Sequence, residues 1–346
     1  MKPGDRVVDL GCGSGVLGLL CLEAGAGHVA AIDETDMIEV ARLSLQAAGF
    51  GPRSTFLRGR CEETILPQPA DLAIADHVGY FGIDYGIVGL FQDARRRLLR
   101  PAGRVLPSRL RLEAALVESA EAQALAEARQ EGALPPAYAW LRKLTSNTVH
   151  PVEFRPQDLL GDAVALGDID LAAEDRSYFS WTVEMVTARD GEAHGVAGWF
   201  EALLCEGVSM TNSPLAPDRI RRPQAFFPLG DPLPVRAGDT MRVTVLARPA
   251  ENLLAWRVKA ADGREIRRSN WEAMPMPAKD IAGGYAGHRP SLHAFGRAQL
   301  ALLSLCDGTR TRAQVESEFL RGHGGLFASP EAAARFVARV LDRHTP

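Results

Sequence analysis

Short apolar runs alternate with helical patterns through the first hundred residues. Residues 6–10, Arg-Val-Val-Asp-Leu, read as a strand, 11–15 as a glycine turn, 16–23 as a helix and 29–33 as a second strand. That is a βαβ unit. A helical pattern over 39–48, strand-like runs over 54–57 and 71–75, and a helix over 89–99 closed by Arg100-Pro101-Ala102-Gly103 continue the alternation. The pattern predicts a parallel sheet with helices on both faces.

After Pro107 the period changes. Residues 110–118 read as a long strand, followed by an Ala/Glu/Arg-rich helical stretch through Gly132. Between Gly, Asp and Pro turns, β-branched and aromatic residues then mark strands over 178–186, 196–208, 241–247 and 254–258. These predict an antiparallel sandwich or barrel with a helical insertion. Prolines and glycines between Met274 and Pro290 break the pattern again. Beyond them, 292–305, 311–320 and 329–341 read as helices, with Thr311 and Ser329 as N-caps. The division expected is an α/β domain over 1–107, a β-barrel domain over 108–276 with an arm at about 120–150, and a helical module over 285–346.

Composition narrows the function. The 346 residues are 46% hydrophobic and 24% charged, enough for more than one core. A net charge of −4 gives no field for holding a polyanion, which argues against nucleic acid as the main partner. Five cysteines, odd in number and without C-x-x-C spacing, fit a reducing cytoplasm and no thiolate zinc site. No uncharged apolar run reaches the roughly 18 residues of a membrane span, so no membrane partner is expected. The histidines form no i, i+4 pair, and His288 and His293 stand five apart across Pro290, so no catalytic metal is expected.

The strongest local signal is Val7-Val8-Asp9-Leu10-Gly11-Cys12-Gly13-Ser14-Gly15, with Asp33 ending the next strand 18 residues after Gly15. Glycines let backbone pass close beneath a nucleoside, and a carboxylate ending the second strand can accept both ribose hydroxyls. The D-x-G-x-G-x-G order resembles motif I of the class I S-adenosylmethionine-dependent methyltransferases rather than the G-x-G-x-x-G of dinucleotide sites. The resemblance implies S-adenosylmethionine as cofactor, with S-adenosylhomocysteine as product. It assigns Asp9, Gly11, Cys12, Gly13 and Gly15 to the cofactor loop, Asp33 to the ribose, and Cys61 (backbone) and Glu62 in Arg60-Cys61-Glu62-Glu63 to the adenine.

Two further blocks, Asp71 to Gly86 and Ala94 to Ser108, resemble the protein arginine methyltransferases, as does the stretch from Gly198-Trp199-Phe200-Glu201 through Thr211-Asn212-Ser213-Pro214-Leu215-Ala216-Pro217. That family joins a Rossmann-like sheet to a β-barrel through a proline and dimerises through a helical arm, so a homodimer is implied. It also places helices upstream that fold over the cofactor. Asp9 here follows only eight residues, which leaves that lid either missing or supplied by another part of the assembly.

The hairpin departs from the family pattern. Arginine enzymes use two glutamates there, because a guanidinium is oriented by paired carboxylates. The first position is Asp76, and the second aligns with Tyr85, preceded by Asp84. Where a Thr-His-Trp loop belongs, the chain reads Asp218-Arg219-Ile220-Arg221-Arg222-Pro223. These departures point to methyl transfer onto a small molecule or a residue of a dedicated, ribosomally made peptide. The alternatives are arginine methylation with altered carboxylates, or a catalytically silent cofactor-binding assembly protein. Asp76, His77, Asp84 and Tyr85, with the Tyr80 phenol beside them, are the catalytic candidates; His77 reads either as a general base or as a histidine that only packs or hydrogen-bonds where the family has an aromatic residue. Arg219, Arg221 and Arg222 are candidates for holding an acidic or peptide carboxylate substrate. The run from Leu300 through Asp307-Gly308-Thr309-Arg310-Thr311 loosely resembles the helical part of leader-peptide-recognition domains, while a helical cap or dimer contact is the plainer reading.

Overall fold

A computed structural model describes residues 1–128 and 135–345. It divides into two compact units, Met1–Pro275 and Met276–Pro346.

The first unit opens with β1 (Arg6–Leu10), α1 (Val16–Glu23), β2 (His28–Asp33), α2 (Met37–Ala47), β3 (Ser54–Arg58), β4 (Ala70–Ile74), α3 (Ile87–Arg97) and β5 (Leu99–Leu106). The strands form one parallel sheet in the order β3-β2-β1-β4-β5. Every residue of β4 is buried, as expected of a strand covered on both faces. The turn signal at Arg100-Pro101-Ala102-Gly103, which predicts a helix end, falls inside β5. Pairing with β4 jumps there from Ala70↔Leu99 to Leu72↔Arg104, so the extra residues loop out within a strand.

Beyond the cis Leu106–Pro107 bond, the chain enters two antiparallel sheets. The first contains β6 (Arg109–Val117), β7 (His150–Val152), β8 (Val164–Asp170), β10 (Gly191–Cys205) and β12 (Gln224–Val235) in the order β7-β12-β10-β6-β8, with β11 (Val208–Thr211) also on β10. The second contains β9 (Phe179–Val186), β13 (Thr240–Arg248), β14 (Leu253–Lys259) and β15 (Glu265–Ser269) in the order β15-β14-β13-β9. Leu110, Val196, Phe227, Val243 and Trp256 belong to one buried core shared by the two sheets. The Trp256 indole donates to the Pro228 carbonyl at 2.7 Å, linking them across that core.

Two strand readings need correction. The single strand expected over 196–208 is β10 plus β11, which fold back through Glu206-Gly207. β12 carries Pro228, Pro232 and Pro234, which mask it in the sequence because proline removes a ladder donor. The β10–β12 register shifts between Ala193 and Gly195, where those prolines are accommodated.

The expected arm contains α4 (Ala120–Ala126) and α5 (Leu141–Thr145). Residues 129–134 of that segment lie outside the described residues. Tyr138 and Trp140 are exposed.

The second unit holds α6 (Ala278–Gly283), α7 (Ala294–Ser304), α8 (Arg312–His323) and α9 (Pro330–His344). Thr311 and Ser329 cap α8 and α9 by accepting from the Gln314 and Ala332 amides. Leu302, Val315, Phe319, Val337 and Leu341 form its core.

One close contact fixes the site region onto the antiparallel sheets. Phe81, in the loop after β4, is fully buried against Gly198 of β10, where an added Cβ would stand 2.6 Å from the Phe81 ring. Gly198→Ala is therefore expected to cost about 1–3 kcal/mol through overpacking. Thermal denaturation should show a midpoint several degrees lower, and an unchanged midpoint would refute this packing.

Candidate functional site

In the parallel sheet β1 has β2 on one side and β4 on the other, so the chain order reverses between β1 and β4. Helices from adjoining crossovers diverge at such a point and leave a crevice beyond the strands' carboxyl ends. A cavity of about 650 Å³ lies there, lined among others by Gly11, Asp33, Cys61, Glu62, His77 and Tyr85.

The glycine loop follows β1 directly. Gly11 has φ +66°, and a Cβ on it would stand 2.3 Å from His77 Cε1, so only glycine admits the imidazole there. The loop is pinned from below by Asp9. Its carboxylate, 1% exposed, accepts from the Gly18 amide of α1 at 2.9 Å. Burial pushes this carboxyl up to about 7, against the Gly18 bond, and the nearby Asp33 adds to the rise. Asp9 thus holds the turn to the helix and does not line the cavity. Cys12 likewise turns into a buried cluster with Ala31, Ile38 and Ala41, where burial raises its thiol to about 12.

Asp33 faces the cavity. One carboxylate oxygen accepts from the Gly13 amide at 2.9 Å, and the other from the Thr35 amide at 2.9 Å and the Thr35 hydroxyl at 2.6 Å. Burial works to raise this carboxyl, but those donors outweigh it and hold it below the usual range. Opposite, Cys61 and Glu62 begin a short turn after β3. Arg97 of α3 clamps that turn by donating to the Cys61 carbonyl at 2.8 Å and the Thr64 carbonyl at 2.9 Å. Burial raises the Cys61 thiol to about 11, so it packs as a neutral group.

The loop after β4 carries the remaining candidates. His77 is partly buried over Gly11. Its Nδ1 has no hydrogen-bond partner among the described residues. Burial lowers its pKa, more than Asp76, Asp33 and Glu62 raise it, so the ring is neutral at pH 7. Asp84 accepts from the Tyr80 amide at 3.0 Å and the Phe81 amide at 2.8 Å. It closes the loop on itself and is absent from the cavity wall. Tyr85, 58% exposed, sets its ring edge-on to Tyr80 at 6.0 Å, and a hydrogen bond with the Tyr80 side chain raises its pKa.

Asp76 does not stand free. Arg222 donates to its two oxygens at 2.8 and 3.2 Å and to the Gly79 carbonyl at 3.4 Å. The loop arginines are thus not a common anion site: Arg222 is on Asp76, while Arg219 donates to the Phe154 carbonyl at 3.3 Å.

Of the residues singled out in the sequence, the structure brings Gly11, Asp33, Cys61, Glu62, His77 and Tyr85 to one cavity. Asp9, Cys12, Gly13, Gly15, Asp76 and Asp84 stand behind or beside it. Thr35 and Gln224 escape a sequence reading, and Asn212 enters it only as part of the stretch through Pro217, with no role of its own. Thr35 has a local signal, since Asp-x-Thr favours a side-chain turn. Asn212 has none: fully buried, its amide donates to the Tyr80 carbonyl at 2.9 Å and the Pro223 carbonyl at 2.8 Å, and its oxygen accepts from Phe200 N at 3.1 Å. Gln224 accepts from Phe154 N at 2.8 Å and donates to the Asn212 carbonyl at 2.5 Å. Among the described residues no group of three or more His, Cys, Asp or Glu side chains is arranged to hold a metal ion. No described helix is long and apolar enough to cross a membrane.

Comparison with known proteins agrees with this geometry. Residues 7–103 match the family model described as a methyltransferase domain. The chain is 30% identical over 246 residues to an arginine N(omega)-methyltransferase of Streptomyces achromogenes subsp. streptozoticus, covering 69% of this chain and 67% of that one. It is 27% identical over 261 residues to protein arginine N-methyltransferase 1 of Schizosaccharomyces pombe, covering 71% and 74%. The Trypanosoma brucei PRMT1 enzyme-prozyme heterotetrameric complex with AdoHcy superposes with a TM-score of 0.67 at 18% identity, over 77% of this chain and 88% of that one.

The raised Asp9 carboxyl has a measurable consequence. Between about pH 4 and 7 the folded chain keeps a proton there that the unfolded chain releases, so this group's contribution to stability is lost as pH rises through that window. Asp9→Asn keeps an acceptor for Gly18 and removes the titration. The difference in thermal midpoint between the Asp9→Asn variant and the wild-type protein should shift toward the variant from pH 4 to 7. Parallel curves would show that Asp9 does not titrate there.

Proposed function

This chain belongs to the arginine methyltransferases, class I S-adenosylmethionine-dependent enzymes, and on that footing we propose that its methyl acceptor is a guanidinium nitrogen of an arginine side chain. The observation that supports this acceptor is Asp76, whose carboxylate holds the guanidinium of the chain's own Arg222 by two N–H···O bonds, a geometry that suits any guanidinium. This reading replaces the small-molecule acceptor suggested by the missing glutamates, since one carboxylate still fixes the plane of a guanidinium.

The cavity suits S-adenosylmethionine. Asp33 stays ionised on its wall, Cys61 and Glu62 line it together with Gly11, and the Nδ1 of His77, seated over Gly11, stands without a partner among the described residues. In this reading Asp33 holds the ribose, the Cys61–Glu62 turn reads the adenine and the glycine loop supports the methionine end. When bound, the cofactor supplies an electrophilic methyl on a sulfonium. The acceptor nitrogen forms the new N–C bond as the C–S bond breaks, the electron pair stays on sulfur, and one proton leaves the nitrogen. In this reading His77 takes that proton, burial holding its pKa below the usual histidine value.

The test is methyl incorporation from labelled cofactor into an arginine-containing peptide, followed by mass spectrometry of the modified residue. His77→Phe should lower kcat by about 10²-fold. Because the His77 pKa is depressed, the wild-type acid limb should lie below pH 6.5 and vanish in the variant. Methyl label on another residue type would reject the arginine acceptor, and an unchanged acid limb would reject His77 as base.

A specific observation favours an acceptor carried on a peptide. In the second unit a groove of about 540 Å³ is lined by Phe295, Phe327 and Phe336 together with Arg335, Arg339 and Arg343. These arginines recur every four residues along α9 and have no ion pair among the described residues. Aromatic floor and cationic rim fit a segment mixing apolar and acidic side chains. Fluorescence anisotropy of the full chain with a labelled Leu/Glu peptide should show binding that weakens at least tenfold in Arg335→Glu/Arg339→Glu. Equal binding by that variant would dismiss the groove.

A further inference from the structure

The guanidinium on Asp76 is the chain's own. Arg222 uses both terminal nitrogens there, at 2.8 and 3.2 Å from the two carboxylate oxygens, and its NH1 also reaches the Gly79 carbonyl. Its charge faces Asp76, Asp84 and the Tyr85 phenol. A second guanidinium cannot take the same fork while Arg222 occupies it. We propose that Arg222 is a resident occupant of the acceptor site, a specificity-determining arginine that a substrate guanidinium must displace from Asp76.

The backbone and side chain of Arg222 differ in freedom. Its amide donates to the Ile220 carbonyl at 2.9 Å, Pro223 follows, and the Pro223 carbonyl is held by Asn212. The anchor is therefore fixed. The side chain is 25% exposed and its Asp76 partner 51%, so the pair meets solvent on one side. A long arginine stem leaves such a pair by rotation about its own bonds, with no movement of the loop. Half-exposed ion pairs are worth little, because water competes for both charges. Displacement is thus an exchange of one guanidinium for another, and a weakly bound arginine loses that exchange to the tethered one.

Arg222 would then reject stray guanidinium compounds and admit only an acceptor whose other contacts add to its affinity. This rests on the arginine reading above, but the binding step can be measured apart from methyl transfer. The full chain is saturated with S-adenosylhomocysteine and titrated calorimetrically with Nα-acetyl-arginine amide. Arg222→Ala should bind it about three- to tenfold more tightly than wild type. Arg222→Met, which keeps the packed stem, should do the same, and either gain should disappear when Asp76→Asn is added. In turnover the two Arg222 variants should lower KM for the arginine acceptor.

Affinity unchanged or weakened in both variants, with S-adenosylhomocysteine still bound, would overturn the proposal. The two readings fail differently. A binding gain without methyl on arginine keeps the resident occupant and removes the arginine acceptor. Methyl on arginine without the gain does the reverse.

Discussion

The side chain of Asn212 joins three segments that meet nowhere else in sequence. It satisfies the Phe200 amide of the central antiparallel strand, the Tyr80 carbonyl of the site loop and the Pro223 carbonyl beside Arg222. The residue is wholly buried, so losing any of these bonds would strand a polar group away from water. The position of the site loop relative to the β-sheets, and of Arg222 relative to Asp76, depends on this one amide. Phe81 against Gly198 supplies the apolar half of the same joint. Neither domain alone contains the arrangement, which is why the parallel sheet and the antiparallel sheets behave as one compact unit.

Burial also divides labour between two carboxylates at the ends of adjacent strands. Asp9 lies beneath the glycine loop with one backbone donor, and its carboxyl is pushed up to about 7. Asp33 meets three donors and is held down. The first is a hinge pin between strand and helix. The second keeps negative charge at the cavity wall. Their mutual repulsion adds to the rise at Asp9, so the environment that keeps Asp33 ionised helps keep Asp9 protonated.

The parts of this arrangement legible in sequence are local ones. The glycine turn after β1 and the acid ending β2 are separated by one helix, and their spacing alone sets them side by side. The helical caps at Thr311 and Ser329 are also local, and they occur where the side-chain chemistry predicts. What sequence could not convey is contact at long range. Asp76 and Arg222 stand 146 positions apart, and no periodicity links them. Asp84 has the residue type of a catalytic acid, yet a tight loop turns both of its oxygens back onto the Tyr80 and Phe81 amides. β12 was hidden by prolines tolerated where its pairing with β10 slips.

The chemistry left in the loop has a consequence for what the enzyme can select. A site with two carboxylates holds a guanidinium from both edges and chooses among its nitrogens by geometry. Here the second acid is committed to backbone, and Tyr85 stands in the corresponding place with its proton held on by the hydrogen bond to Tyr80. On the proposed arginine reading, the acceptor is gripped by charge on one edge only. Replacing Arg222 with a substrate guanidinium leaves the charge around Asp76 unchanged, so the exchange itself contributes little net attraction. Binding energy must come from parts of the substrate beyond the guanidinium. A free amino acid offers few such contacts and a peptide offers many, and the same tether that makes Arg222 an effective competitor sets how many are required.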